Sequence, residues 1–407
     1  MRSRRWDPAV AMANVQEFGE HGGVNPDICD SSTYTFLEPD GMERTFLGQQ
    51  PGCYLYSRHY NPTCAYLGRL LAAMEDLEDC VVTASGMAAI TCALVQLVDP
   101  GDEIVASRCI YGGTHTLLER VFPQKFGVSV RFVAPTCLED FERAITPRTR
   151  VFYVETLSNP LLEVAPLDEL AALAHRHGIK LMVDNTFAPL LVTPAHHGAD
   201  VVVHSLTKFI NGMSDTIGGA ILGSREFIGS LRDLHQGTAM LFGPTMDGLR
   251  AASIAKNLRT LHLRIPQHAK NAHYLAERLQ ESGVPVVYPG LPQYPQRKLL
   301  AKLGNTKKYG CGGMLTVDLG SKQMADKLLR ALQMQRVGYL AVSLGFYRTL
   351  FSAPAASTSS EVDKEEQQSM GLRPGLTRFS VGLDPDIQLS WERFCEAAHE
   401  VGFVLRR

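Results

Sequence analysis

Between about residues 65 and 225 the chain alternates β-branched runs with helix-period stretches, and that alternation restricts the fold more than any other feature. LGRLLAAMEDLE has the apolar spacing of a helix. CVVTASGMAAITCALVQLV reads as a strand, a turn at Ser85, Gly86 and Met87, and a second helix. DEIVASR, VSVRFVA and VFYVET read as strands, the last ending at Glu155. LDELAALAHRHG is an amphipathic helix closed by Gly178. IKLMVDNTFAP is a strand ending at Asp184, and ADVVVHSLTK follows. Strands alternating with helices predict an α/β fold with a mainly parallel central sheet and helices on both faces. Such strands are covered on both sides, which suits the unbroken Val201, Val202, Val203 run. No 20- to 50-residue repeat is evident.

The flanks differ. Residues 1 to about 60 are rich in Gly, Pro and polar residues, as in EFGEHGGVNPDICDSSTY, and read as an arm that docks on something, a partner subunit among the candidates. Asn61-Pro62 marks a turn and a helix start. After Gly243-Pro244 a long helical stretch follows, with Pro266 expected to kink or break it. It leads to strands at VPVVYPG, GMLTVDLG and TRFSVGL and helices at SKQMADKLLRALQ and LSWERFCEAAHEVGF. Residues 352–371 read as a loop. The expected division is an arm over 1–62, a large α/β domain over 63–262 and a smaller C-terminal α+β domain over 263–407.

At 407 residues the chain can bury a core for two or three domains. A formal net charge of -2 without a basic tract gives no electrostatic case for nucleic acid. MRSRRWDPAV is not followed by an apolar stretch of signal-peptide type, and no run of 18 apolar residues occurs, so neither secretion nor a membrane span is expected. Nine cysteines occur singly, with no C-x-x-C pair, which fits reduced thiols in a cytoplasmic protein.

Chemistry is sought at strand ends, because open α/β sheets bind ligands beyond the carboxyl ends of their strands. Lys208 follows the Val201–Val203 strand, with Ser205 and Thr207 beside it, although a solvated lysine after a core strand would read the same way. Ser85, Gly86 and Met87 open a helix whose free N–H groups could cradle a phosphate. Asp184 ends a buried strand and needs a partner, either a structural cation or a protonated ring nitrogen. Tyr111, in IYGGT, could stack on a planar ligand or pack in the core. Tyr56 and Arg58 are two apart and point the same way in extended chain, a pattern that surface residues share. A lysine amine, a carboxylate for a pyridinium nitrogen and a phosphate-binding helix start are what pyridoxal phosphate requires of a protein. His175, His177, His196 and His197 lack tight ligand spacing, and no metal is expected. No G-x-G-x-x-G or P-loop follows a strand.

The segments YSRHYNPT, SGMAAI, IYGGTH, ETLSNP, VDNTFAP, HSLTKFING, AVSLG and LTRFSVGLD occur in this order. From about Glu17 to Asp384 the chain thereby resembles the fold-type I pyridoxal-phosphate enzymes of cysteine and methionine metabolism, the cystathionine γ-synthase, cystathionine γ-lyase and methionine γ-lyase group. EFGEHGGVN, GPTM at 243–246, YPGLPQYPQRKL and SAPAASTSSE look most like the plant-type methionine γ-lyases.

The resemblance implies roles. Lys208 would form the Schiff base with the cofactor, Asp184 would pair with its pyridine nitrogen, and Tyr111 would stack on the ring and serve as acid or base. The Ser85-Gly86-Met87 turn, Ser205 and Thr207 would hold the phosphate, which Tyr56 and Arg58 would reach from the neighbouring subunit. Arg378 would clamp the substrate carboxylate, and Ser343 and Asn159 would orient substrate and cofactor. Glu155 would sit near the ring or structure its loop. The implied reaction is α,γ-elimination of methionine to methanethiol, 2-oxobutanoate and ammonia. The alternative is cystathionine cleavage or synthesis, or sulfhydrylation of an O-acylhomoserine. A homotetramer of two active dimers is implied. One departure stands out: three residues after AVSLG the family usually carries glutamate, and here Arg348 occupies that place within Phe346, Tyr347, Arg348, Thr349 and Leu350. Facing the pocket, Arg348 would touch the substrate's distal end and repel the second ammonium of cystathionine. Facing solvent, it would do neither.

Overall fold

The computed structural model describes residues 6–47, 49, 50, 52–357, 365, 367 and 371–406. Its larger sheet contains β1 (Asp79–Thr83), β2 (Glu103–Ser107), β3 (Ser129–Val133), β4 (Thr149–Glu155), β5 (Lys180–Asp184), β6 (Val201–Ser205) and β7 (Gly219–Gly223). The strand order is β1-β7-β6-β5-β4-β2-β3. Strands β2 to β6 pair in parallel, and only β7 runs antiparallel, between β1 and β6. The expected mainly parallel sheet is therefore present.

Alternate residues of each strand enter different cores. Phe152, Val154, Val183 and Val202 pack with Leu67, Leu70 and Leu71 of the Pro62–Glu75 helix. Val151, Tyr153, Met182, Val201 and Val203 pack with Ala89, Ile90 and Leu94 of the Gly86–Leu97 helix. Each large apolar side chain buried this way contributes roughly 1.5–3 kcal/mol of transfer free energy. Both helices start at side-chain caps. Asn61 Oδ1 accepts from the Thr63 and Cys64 amides at 2.9 and 3.2 Å, and Ser85 Oγ accepts from the Ala88 amide at 3.1 Å.

The smaller sheet contains β8 (Val286–Val287), β9 (Met314–Asp318), β10 (Tyr339–Leu340), β11 (Leu350–Ser352) and β12 (Leu376–Ser380), ordered β10-β11-β12-β9-β8. Its pairs are antiparallel except β10 with β11. Leu328, Leu332 and Phe394 of the Lys322–Met334 and Ile387–Glu400 helices pack with Phe351 and Phe379. The Leu261–Glu281 helix ties the two sheets together. Its Arg264 donates to the carbonyls of Phe209 and Ile210, and its Asn271 to those of Gly382 and Asp384.

Two expectations change, and one strand was not foreseen. Pro266 neither ends nor starts a helix: the interruption comes at Arg259 and Thr260, and the Leu261–Glu281 helix runs through Pro266. Placed near the helix start, its missing N–H removes only one ladder bond, to His262. The arm is less featureless than its composition suggests. It contains helices at Pro8–Ala13 and Pro39–Phe46, and Asp7 caps the first while accepting from Lys308 Nζ at 2.6 Å and Tyr309 Oη at 3.0 Å. Strand β7 escapes a sequence reading because glycines bracket its apolar residues. Gly219 is required there, since a Cβ would stand 2.1 Å from the Ser85 carbonyl oxygen. Of the expected 352–371 loop, 358–364, 366 and 368–370 lie outside the described residues, and Pro354–Ala356 forms a 3-10 turn.

Candidate active site

A cavity of about 290 Å³ opens where β4, β5 and β6 end and the Gly86–Leu97 helix begins. It brings together Ser85, Gly86, Met87, Tyr111, Glu155, Asn159, Asp184, Ser205, Thr207, Lys208, Ser343 and Arg378. Sequence reasoning missed Thr186 and the apolar part of the lining: Ile90, Leu157, Phe187, Ile217, Val342 and Leu344. The position of Thr186 two residues beyond Asp184 was the only available signal, and its hydroxyl accepts from the Ser205 amide at 2.9 Å.

Lys208 follows β6 in a tight turn, and its Nζ donates to Ser343 Oγ at 2.8 Å. Burial, aided by the positive charge of Arg378, brings the amine down from 10.5 to about 8. At pH 7 about a tenth of such amines are neutral, some 300-fold more than for an ordinary lysine. Arg378, on β12, is buried; its Nη1 donates to Asn159 Oδ1 at 2.8 Å and its Nη2 to the Ser343 carbonyl at 3.1 Å. Burial lowers the guanidinium to about 10, which keeps it cationic at neutral pH. Ser343 has φ +89°, a strained conformation for a non-glycine residue. Its carbonyl accepts from Arg378, and the amide of Gly345, two residues on, donates to Ser380 Oγ at 2.8 Å.

Asp184 is buried, and its Oδ1 accepts from the Thr186 amide at 2.9 Å. Its Oδ2 meets the Tyr153 hydroxyl only at 3.5 Å. Burial holds its carboxyl above the usual range, against the Thr186 hydrogen bonds and the nearby His204. Glu155 is pushed well above the carboxylate range, chiefly by burial and next by Asp184. Its Oε1 accepts from the Tyr111 amide at 2.7 Å and its Oε2 from the Asn159 amide at 2.9 Å, so it staples two lining loops together. The Tyr111 ring lies over Gly113, where a Cβ would stand 2.7 Å from the ring. At the helix start, a Cβ on Gly86 would stand 2.7 Å from Ser205 Cβ, so the Gly86 backbone abuts the Ser205 side chain.

These groups fit pyridoxal phosphate. A helix N-terminus with two adjacent hydroxyls suits a phosphate, a buried carboxylate with a weakly engaged oxygen suits a protonated ring nitrogen, and a partly neutral buried amine suits an aldehyde.

Three expected site residues are not brought to this cavity. Tyr56 and Arg58 lie elsewhere on the same chain, with Arg58 Nη1 donating to the Met240 carbonyl at 2.9 Å. Arg348 is the third residue outside the lining. Its Nε lies 3.1 Å from Asp384 Oδ1 and its Nη2 donates to the Arg336 carbonyl at 3.1 Å. The Asp384 carboxylate that pairs with the guanidinium is itself held by Thr349 Oγ1 at 2.8 Å. His175, His196 and His197 pair separately with Asp200, Asp76 and Asp168, and no group that could hold a metal ion occurs among the described residues.

Comparison with known proteins agrees with the site. Residues 9–388 match the model for Cys/Met metabolism PLP-dependent enzymes. Methionine gamma-lyase of Arabidopsis thaliana is 44% identical over 397 residues, covering 96% of this chain and 90% of that protein. O-succinylhomoserine sulfhydrylase of Pseudomonas aeruginosa is 35% identical over 373 residues, covering 90% and 88%. Among solved structures, a putative O-acetylhomoserine (thiol)-lyase of Campylobacter jejuni with N'-pyridoxyl-lysine-5'-monophosphate matches with a TM-score of 0.89 at 28% identity, covering 97% of this chain and all of that one. The chain, a fold-type I pyridoxal-phosphate enzyme by its sheet and its site, belongs to the Cys/Met metabolism PLP-dependent family.

Proposed function

We propose that the chain is a carbon–sulfur lyase that carries out α,γ-elimination on L-methionine, yielding methanethiol, 2-oxobutanoate and ammonia with consumption of one water. The observation that carries this reading is the distribution of charge in the cavity. Among the lining residues the acidic and basic groups are Glu155, which staples two lining loops, and Asp184, Lys208 and Arg378, each with a cofactor or carboxylate task, and much of the remainder is apolar. A thioether tail matches such a wall. The second ammonium of cystathionine, or the free carboxylate of a succinyl ester, would be desolvated there without a partner from this chain.

Bound pyridoxal phosphate supplies an electron sink for charge developing at substrate Cα. Arg378 holds the substrate carboxylate in a two-pronged grip, with Asn159 and the Ser343 carbonyl fixing its plane. Lys208 takes the Cα proton as a neutral amine, and Ser343 Oγ orients that amine. Asp184 would pair as a carboxylate with a protonated ring nitrogen, an attraction that opposes the effect of burial on it. Tyr111, its loop anchored by Glu155, would stack on the ring; a second proton leaves substrate Cβ, which permits the Cγ–S bond to break, and Tyr111 delivers a proton to the departing sulfur.

The same reading assigns Tyr56 and Arg58 to the phosphate of a neighbouring subunit and makes a tetramer of two active dimers the working assembly. Exposed Phe18, Val24, Leu37, Phe242 and Leu249 support an arm and flank that dock on a second copy. The division at 62 and 262 and a cytoplasmic location belong to this reading too. Nine free thiols support a reducing compartment, and no described helix is long and apolar enough to cross a membrane.

The test is to incubate the purified protein with L-methionine and assay 2-oxobutanoate and volatile thiol, with borohydride bleaching as the mark of the Schiff base. Release of both products from a yellow protein is expected. Inertness toward methionine, with turnover of cystathionine or of an O-acylhomoserine plus thiol, would replace the substrate while keeping the enzyme class.

A further inference from the structure

The floor of the cavity is formed by three neighbouring strand ends, and each carries a second polar residue on the other side of the sheet. Glu155, Asp184 and Ser205 line the cavity on the side of the Gly86–Leu97 helix. Thr156, Asn185 and His204, their chain neighbours, point the opposite way, toward the Pro62–Glu75 helix. There Asn185 and His204 converge on one carboxylate, and Thr156 braces Asn185. Glu75 Oε1 lies 2.7 Å from His204 Nε2 and accepts from Asn185 Nδ2 at 2.9 Å, while Thr156 Oγ1 donates to Asn185 Oδ1 at 2.8 Å. Asn185 Nδ2 also reaches the Val192 carbonyl at 3.0 Å. Glu75, Asn185 and His204 are all at most 1% exposed.

Fold stability alone does not call for such a pair. Replacing a buried ionisable pair by apolar side chains is often neutral or stabilising, because desolvation cancels the attraction. Here, among the described residues, Glu75 Oε2 and His204 Nδ1 have no hydrogen-bond partner, so the pair is not even fully satisfied. Its placement suggests another task. His204 is the chain neighbour of Ser205 and Asn185 of Asp184, so the one carboxylate of Glu75 ties together the backbones that carry a phosphate hydroxyl and the ring-nitrogen partner.

We propose that Glu75 and His204 are a positioning pair that acts through Asp184, holding its carboxylate and the β5 and β6 ends in the geometry that binds the cofactor. This rests on the assignment of pyridoxal phosphate to the cavity.

The test is a double-mutant cycle on cofactor affinity, read by absorbance as the apoprotein is titrated with pyridoxal phosphate. In the native background Glu75→Gln is expected to weaken binding about tenfold, the scale seen when the partner of a ligand group is removed. In an Asp184→Asn background the same change is expected to alter affinity by less than about twofold. Equal losses in both backgrounds, which a merely structural role would produce, overturn the proposal, and so does unchanged affinity in the native background. Melting of each apoprotein shows whether it folds; should Glu75→Gln not fold, His204→Asn decides through the same cycle. A native chain that takes up no pyridoxal phosphate overturns the cofactor assignment and this proposal together, whereas a native chain that binds but shows additive losses overturns the positioning pair alone.

Discussion

Lys208 Nζ and Ser343 Oγ, 135 positions apart in the chain, meet at 2.8 Å. The contact joins the end of β6 to the loop after β10, so it links the two sheets at the reacting amine. Burial and the charge of Arg378 hold the same amine below an ordinary lysine.

The depressed amine makes apoprotein stability depend on pH. Burial brings Lys208 to about 8, against 10.5 for the unfolded chain. Below pH 8 both states hold the proton and the folded state bears the cost of a buried charge. Between 8 and 10.5 only the unfolded state binds it, so stability rises with pH across that window. The contribution is on the order of 3 kcal/mol. Denaturant unfolding of the apoprotein at pH 7.5 and pH 10 is expected to show this rise in the native chain and its absence in Lys208→Met, the difference between the two isolating the one group.

Gly86→Ala places a Cβ 2.7 Å from Ser205 Cβ, which forces the helix start and the β6 end apart. Two phosphate-binding elements then lose their register. The variant is expected to fold and to bind pyridoxal phosphate at least tenfold more weakly, about 1.4 kcal/mol. Fluorescence titration measures it; native affinity would show that the phosphate is held elsewhere.

Arg348→Glu puts two carboxylates together, since the native guanidinium is paired with Asp384 at 3.1 Å. A loss of about 1–2 kcal/mol in unfolding free energy is expected, given one partner that is a third exposed and one that is buried. The KM for methionine is expected to stay within about twofold, because the side chain does not line the cavity. A tenfold KM change would return Arg348 to the substrate.

Arg58 and Lys208 test the shared site. Arg58→Ala is expected to lower cofactor retention although the residue lies outside its own chain's cavity. Mixing Arg58→Ala with the inactive Lys208→Ala, under conditions of subunit exchange, is expected to create some sites with both native residues. Activity should exceed that of either variant alone. No gain on mixing, with exchange demonstrated, would place Arg58 outside the partner's site.

Much of the larger sheet was legible because its signal is local. The Val201–Val203 run, the Ser85 and Asn61 caps and Gly178 after its helix act within a few residues of themselves. Strand β7 and the two- and three-residue strands β10 and β11 were not legible, since glycine or brevity hides the period that marks a strand. Pro266 misled because proline's cost depends on where in the helix it falls, and that position depends on where Thr260 lets the helix begin.

The sequence by itself determined the parallel α/β scaffold and the kinds of groups available at its strand ends: an amine, a carboxylate, hydroxyls and a glycine-opened helix start. Periodicity and capping are properties of neighbouring residues, so they can be read in order. Only the tertiary structure decided which of those groups meet. Arg378 grips Asn159 across 219 positions, and Glu75 reaches His204 across 129. Arg348 turns to Asp384 instead of the cavity because a buried carboxylate and a cation find each other by distance in space, which the linear order does not encode.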